Sequence, residues 1–264
     1  MRIFAILSLM INPMNHHRIA LFADIHSNLE AFAACLEHAQ SQGATRFIFL
    51  GDLVGYNANP IEVLDHIMNL IASGVGIAIR GNHDTACVEP YFPKMNPIAD
   101  AAITWTKEQL STKHKHFLSE LPPIFFEDDN CYVHASAYQP ENWHYVTDGL
   151  SAWRSAEASG KIYTFSGHVH EQALYYQSSV GKLIRFAPHA GDAIPTGRHR
   201  RWVSIVGSLG QPRDGNPKAN YALFDPVAQT MHFHRVDYDH LLAADKIKHA
   251  GLPNELALRL IQGI

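Results

Sequence analysis

An α/β fold is predicted by three observations. Between residues 18 and 79, three short apolar runs (18–23, 47–50 and 75–79) alternate with stretches of helical periodicity. Each run ends in polar, chemistry-bearing residues instead of more core, and the second and third reach them through a glycine. From 162 to 234 the chain breaks into short β-rich runs separated by turn residues. With 264 residues, 47% apolar and 17% charged, the chain has enough material for one sizeable core and a globular composition.

Residues 3–11 form an apolar run behind a lone Arg2. The run is too short for a bilayer, which needs about 20 residues, and no small-residue cleavage site follows it. Residues 1–13 are therefore read as an N-terminal extension without a catalytic role, and 14–264 as a single domain. The first strand, 18–23, ends in Asp24-Ile25-His26-Ser27-Asn28. Residues two apart in extended backbone share a face, so Asp24 and His26 are expected to point at one ion. Asn28 and Ser27 serve equally well as caps of the next helix. That helix, 29–42, carries Leu29, Phe32, Ala33 and Leu36 at helical spacing and stops at Gly43. The second strand, 47–50, runs into Gly51-Asp52. Asn59-Pro60 opens a helix that reaches about residue 72. The third strand, 75–79, runs into Gly81-Asn82-His83-Asp84. Three strand–motif–helix units imply parallel strands with right-handed crossovers. They bring Asp24, His26, Asp52, Asn82 and His83 to one sheet edge, where open α/β sheets collect ligands.

Residues 97–121 read as two helices, with His114 and His116 on a solvated face beside Lys113 and Lys115. Short strands at 124–126 and 131–133 flank a turn at 128–130, and His134 closes the second. The segment 135–147 carries Tyr138, Trp143, His144 and Tyr145, either as a lid over substrate or as local packing. A strand at 162–165 leads to Gly167-His168-Val169-His170, again with two imidazoles at i and i+2. Runs at 173–176, 183–186, 203–206, 221–224 and 231–234 suit a second, largely antiparallel sheet, with His232 and His234 exposed on one face. Residues 207–215 are dense in turn formers. They make either a structural loop or a phosphate-facing one, with Ser208 and Arg213 as donors. The basic run at 198–201 reads as solvated surface. Residues 238–264 read as two helices broken at Gly251 and Pro253.

In this order, DIHSN, GDLVGY, GNHD, VHAS and GHVH resemble the calcineurin-like metallophosphoesterase superfamily. The likeness is strongest to its small prokaryotic phosphoesterases, which share GDLVGY and the later GSLGQPRD. It covers roughly residues 18 to 235. The resemblance implies a four-layer αββα sandwich with two mixed sheets and two divalent ions at the strand ends. One ion would take Asp24, His26, Asp52 and His170, the other Asp52, Asn82, His134 and His168, with Asp52 as the bridge. His83 would be a general acid or transition-state stabiliser, and Asp84 would orient it or cap a helix. Mixed nitrogen and oxygen ligands suit manganese, iron, zinc or nickel, manganese being the metal expected to support activity in vitro. The reaction implied is hydrolysis of a small phosphodiester or phosphomonoester through a metal-bridging hydroxide.

A nuclease using the same site is the alternative. The net charge of −4 counts against it, because duplex binding rests on phosphate contacts. A non-catalytic scaffold would have lost ligands or His83, and none is lost. Cys35, Cys87 and Cys131 are odd in number and far apart, which suits buried thiols in a reducing, cytoplasmic compartment. The expected partner is a small phosphate ester, with no membrane; oligomeric state is left unassigned.

Overall fold

The computed structural model describes residues 18–264, so the extension expected at 1–13 lies outside the described residues. The first half delivers the three expected units: β1 (Arg18–Phe22), α1 (Leu29–Ser41), β2 (Ala44–Leu50), α2 (Pro60–Ala72), β3 (Gly76–Ile79) and a short α3 (Asn82–Val88). β1, β2 and β3 are parallel. The Asn28 side chain accepts the N–H of Ala31 to cap α1, and Pro60 opens α2. Then come α4 (Pro97–Gln109), α5 (Thr112–Glu120), β4 (Ile124–Glu127), β5 (Asn130–Val133), α6 (Gly149–Ser159), β6 (Tyr163–Ser166), β7 (Gln172–Gln177) and β8 (Leu183–Phe186). The chain closes with β9 (Ile194–Pro195), β10 (Trp202–Val206), β11 (Ala219–Asp225), β12 (Thr230–Val236), α7 (His240–His249) and α8 (Asn254–Gln262).

Two six-stranded mixed sheets stack between helices, as an αββα sandwich. The first runs β3-β2-β1-β11-β12-β9 and the second β4-β5-β6-β10-β7-β8. Alternation along the strands builds the layers. In β1, Ile19 and Leu21 face the second sheet, where they meet Phe165 and Trp202. Ala20 and Phe22 face Phe32 of α1 and the helical layer. On the far side, Ala152 and Ala156 of α6 cover Tyr175, Val203 and Ile205.

The second half departs from expectation in several places. β11 pairs antiparallel with β1 and β12 with β11, so they complete the first sheet and not the second. Tyr221 and Leu223 face the helices while Ala222 and Phe224 face the other sheet. A strand buried on both faces carries no mark of which sheet it joins. The second sheet is mixed, because β5, β6 and β10 run parallel at its centre. Helix α6 has no counterpart in the sequence reading. Its signals were Asp148, which accepts the N–H groups of Leu150 and Ser151, and Gly160, left-handed at the C-terminus.

Two histidine expectations are also corrected. His116 is exposed, but His114 is buried, its ring between Ser111 and Asp65. His232 and His234 are half-buried, and His234 stacks on Tyr221 with the His38 ring of α1 beside it. The strand face that looked solvated lies against α1. All three thiols are buried and free. Among the described residues no helix is long and apolar enough to cross a membrane.

Candidate metal centre

β1 ends at Phe22, before the first candidate ligand, and the backbone then turns left-handed. Asp24 (φ 52°), His26 (49°), Asp52 (50°), His168 (65°) and His170 (69°) all occupy that region. The extended geometry expected for the Asp24–His26 pair is therefore absent. Non-glycine residues there cost on the order of 1 kcal/mol or more each, Asp and His being among the better tolerated. The loops are held in place by bonds to one another. Asp24 N–H donates to Gly51 O at 3.1 Å, His26 N–H to Asp52 O at 2.9 Å, Gly167 N–H to His134 O at 2.9 Å, and Gly210 N–H to Asp24 O at 2.8 Å. Gly81 is required for close approach: a Cβ there would lie 2.2 Å from the Asp52 backbone nitrogen and from its Oδ1.

Seven of the side chains anticipated from sequence converge at this edge. Asp24, His26 and His170 present ligand atoms within 4.8 Å of one another, as do Asp52, His134 and His168. Asn82 joins the second set, its Oδ1 being 3.1 Å from His134 Nε2. The first sheet supplies Asp24, His26, Asp52 and Asn82, and the second supplies His134, His168 and His170.

Hydrogen bonding fixes which ring nitrogens face inward. Nδ1 of His26, His134 and His170 lies 3.2, 2.8 and 2.6 Å from the carbonyls of Val54, Leu50 and Gln211. A carbonyl only accepts, so each Nδ1 carries a hydrogen and each Nε2 is the nitrogen that faces inward, bare in the neutral rings of His26 and His170. The Nε2 atoms of His26 and His170 then stand 3.3 Å apart with no proton between them. His134 Nε2 faces Asp52 Oδ2 at 3.3 Å. Such an assembly of buried acceptors repels itself unless a cation lies among them, so the donor set fits divalent metal ions.

The charges agree. Burial lowers His26 and His170 far below the ordinary histidine range, with Arg213 adding to the effect, and takes His168 to about 3. Neutral imidazoles are what metals bind. Burial opposes ionisation of Asp52, yet His134 and His83 hold it well below the usual carboxylate range. Burial, with Asp52 nearby, pushes Asp24 up to about 7 against the pull of His134. His134 is lowered by burial but lifted to about 9 by Asp52 and Asp24.

The remaining candidates fall in different places. His83 is buried beside the cluster, between His26 (ring centroids 4.8 Å apart) and Tyr56 (4.5 Å), and its Nδ1 has no partner. Asp84 is engaged elsewhere. Its oxygens accept the N–H groups of Leu53 (2.9 Å), Val54 (3.2 Å) and Gly81 (2.9 Å), capping α3 and pinning the GDLVGY loop. The Ser208 hydroxyl is likewise internal, donating to Asp24 O at 2.9 Å and accepting Gln211 N–H at 2.8 Å. Arg213 is only part-buried and bonds to Gln211 Oε1 at 3.4 Å. The sequence reading overlooked Tyr56, which packs on both His26 and His83. Its position just past Gly55 in GDLVGY was the available signal.

Fold and site together define a class. The chain belongs to the calcineurin-like phosphoesterase family, whose profile it matches over residues 17–222. Family and buried His/Asp clusters together point to a metal-dependent phosphoester hydrolase. The chain is 34% identical over 257 residues to the uncharacterized protein MJ0912 of Methanocaldococcus jannaschii, covering 93% of this chain and 98% of that one. A metallophosphoesterase from Sphaerobacter thermophilus superposes with a TM-score of 0.83 at 32% identity, covering 94% of this chain and 99% of the other. The hypothetical protein PH1004 from Pyrococcus horikoshii OT3 shares the fold at 22% identity, with a TM-score of 0.77 over 94% of this chain and 98% of the other.

Proposed function

We propose that the protein is a two-metal phosphoesterase that hydrolyses a small phosphodiester or phosphomonoester. The observation that carries this reading is the inward-facing set of lone pairs on Asp24, His26, Asp52, Asn82, His134, His168 and His170, buried with too few protons to satisfy them. Asp24, His26, Asp52 and His170 would hold one ion, and Asp52, Asn82, His134 and His168 the other. When bound, the ions supply positive charge and Lewis acidity at the phosphoryl group. Manganese is the metal we expect to support turnover in vitro.

The chain's own residues supply the rest. Three carbonyls lock the tautomers of His26, His134 and His170, so the site needs little rearrangement to bind. Water's oxygen bonds to phosphorus, its proton passing to solvent, as the ester P–O bond breaks. The departing alcohol oxygen takes a proton from the His83 imidazole, which recovers one from solvent. Burial lowers His83 and Asp52 pulls it back up; an arriving phosphate adds negative charge that favours the protonated ring. Arg213 would meet a phosphate oxygen. The buried thiols support a reducing compartment, and we place the enzyme in the cytoplasm.

The test is metal analysis of the purified protein, together with a manganese-supplemented screen of phosphomonoesters, phosphodiesters and cyclic nucleotides. Bound metal with turnover of at least one of these is expected. Absence of metal binding would end the two-metal reading.

A further inference from the structure

Beside the metal centre lies a pocket of about 410 Å³ that the phosphoryl chemistry leaves unexplained. Its lining includes Ser136, Tyr138, Gln139, His144, Tyr145 and Arg154. Tyr145 joins it to the centre, because its ring stacks at 4.2 Å and 22° on that of His168. The loop between β5 and α6 is anchored a second time by Trp143, 5.9 Å from the His134 ring. Gln139 and Trp143, which bracket a single 3₁₀ turn, are both left-handed, so the loop holds a costly and specific shape.

The lining has a definite chemistry. Tyr138 and Tyr145 are 43% and 55% exposed, which leaves aromatic surface open to a ligand. Tyr138 stacks with His144 at 6.0 Å and 24°. Among the described residues no carboxylate lines the pocket, and none is bonded to Arg154. Asp148, whose carboxylate feels the Arg154 charge, already accepts N–H groups at the start of α6. The Ser136 hydroxyl and the Gln139 amide add polar edges. Flat aromatic walls, hydrogen-bonding edges and a guanidinium held in no salt bridge suit a planar heterocycle bearing an anion.

We propose that this pocket is the subsite for the alcohol half of the substrate, and that it takes a nucleoside carrying a second phosphate. The base stacks against Tyr138 and Tyr145, and the second phosphate meets Arg154. The inference rests on the phosphoesterase reading for the phosphate at the centre, but its own evidence is the pocket.

Calorimetric titration of manganese-loaded protein tests it with three probes: inorganic phosphate, phenyl phosphate and adenosine 3′,5′-bisphosphate. The bisphosphate should bind tightest, phenyl phosphate next and phosphate weakest. Tyr138→Ala should cut the margin of bisphosphate over phosphate about tenfold, the usual scale of a lost base stack. Arg154→Gln should cut the margin of bisphosphate over phenyl phosphate. Both side chains are exposed, so both variants should fold, which thermal melts check. A bisphosphate that binds no tighter than phosphate overturns the proposal, as does a margin that survives both substitutions. Bisphosphate binding that depends on Tyr138, without hydrolysis of any ester, would sustain the pocket and overturn the phosphoesterase reading.

Discussion

At the scale of single residues, Asp52 and His83 are neighbours with opposite expected signatures. Asp52 stands among the ligands of both proposed ions and accepts the His83 backbone N–H at 2.8 Å through Oδ1. Asp52→Asn should cost more bound metal and more turnover than any other single ligand change, as read by metal analysis and initial rates. Two metals per chain at a near-normal rate would remove its bridging role. His83→Ala should keep both metals and slow turnover by roughly 10²–10⁴-fold, the range for a positioned acid or base. The deficit should be greatest on an alkyl ester, whose leaving oxygen needs a proton, and small on a nitrophenyl ester. Loss of metal would make His83 a ligand. Equal slowing on both esters would make it a stabiliser of phosphoryl charge.

At the scale of elements, the strand-to-helix loops carry the chemistry, and they are where sequence reasoning both succeeded and stopped. The parallel first strands were legible because apolar runs and helical periods alternate cleanly there. The positions of the seven acceptors were legible because a rare combination of residue types recurs at strand ends. Their left-handed backbone was not, since Asp and His give no mark of φ. The role of Asp84 was left open by its spacing, which serves a cap and an orienting partner equally. In the structure it accepts three backbone N–H groups, two that tie α3 to residues 53 and 54 and one from Gly81 at the start of α3. Asp84→Ala would strand those buried donors and should lower stability by about 1–3 kcal/mol. Turnover should fall with it, because the loop beneath His83 loosens. Denaturant melts and rates measured together check this; a normal melt with reduced turnover would place Asp84 in the chemistry itself.

At the scale of the whole molecule, the sandwich leaves a polar cluster against α1, where Tyr221 bonds His38 and stacks on His234. Burial, then His38 and His232, lower His234 to about 4. An unfolded chain takes up that proton near pH 6.5, so the folded state binds fewer protons between the two values. Its contribution is complete above pH 6.5 and is lost progressively as pH falls toward 4. His234→Phe, which keeps a ring but cannot titrate, should flatten the decline in Tm between pH 6.5 and 4.5. Parallel curves for the two proteins would show that His234 protonates as readily in the fold as outside it. The assignment of β11 and β12 to a sheet belongs to this scale too, since only long-range pairing decides it.

The division of ligands has a mechanical consequence. Four of the candidate ligands come from loops of one sheet and three from loops of the other, so any ion bound there is a rivet through both leaves of the sandwich. Stripping it should let the leaves part at that edge first. Amide hydrogens at the ends of β1, β2, β5 and β6 would then exchange faster together, while those in β12, far along the first leaf, keep their pace.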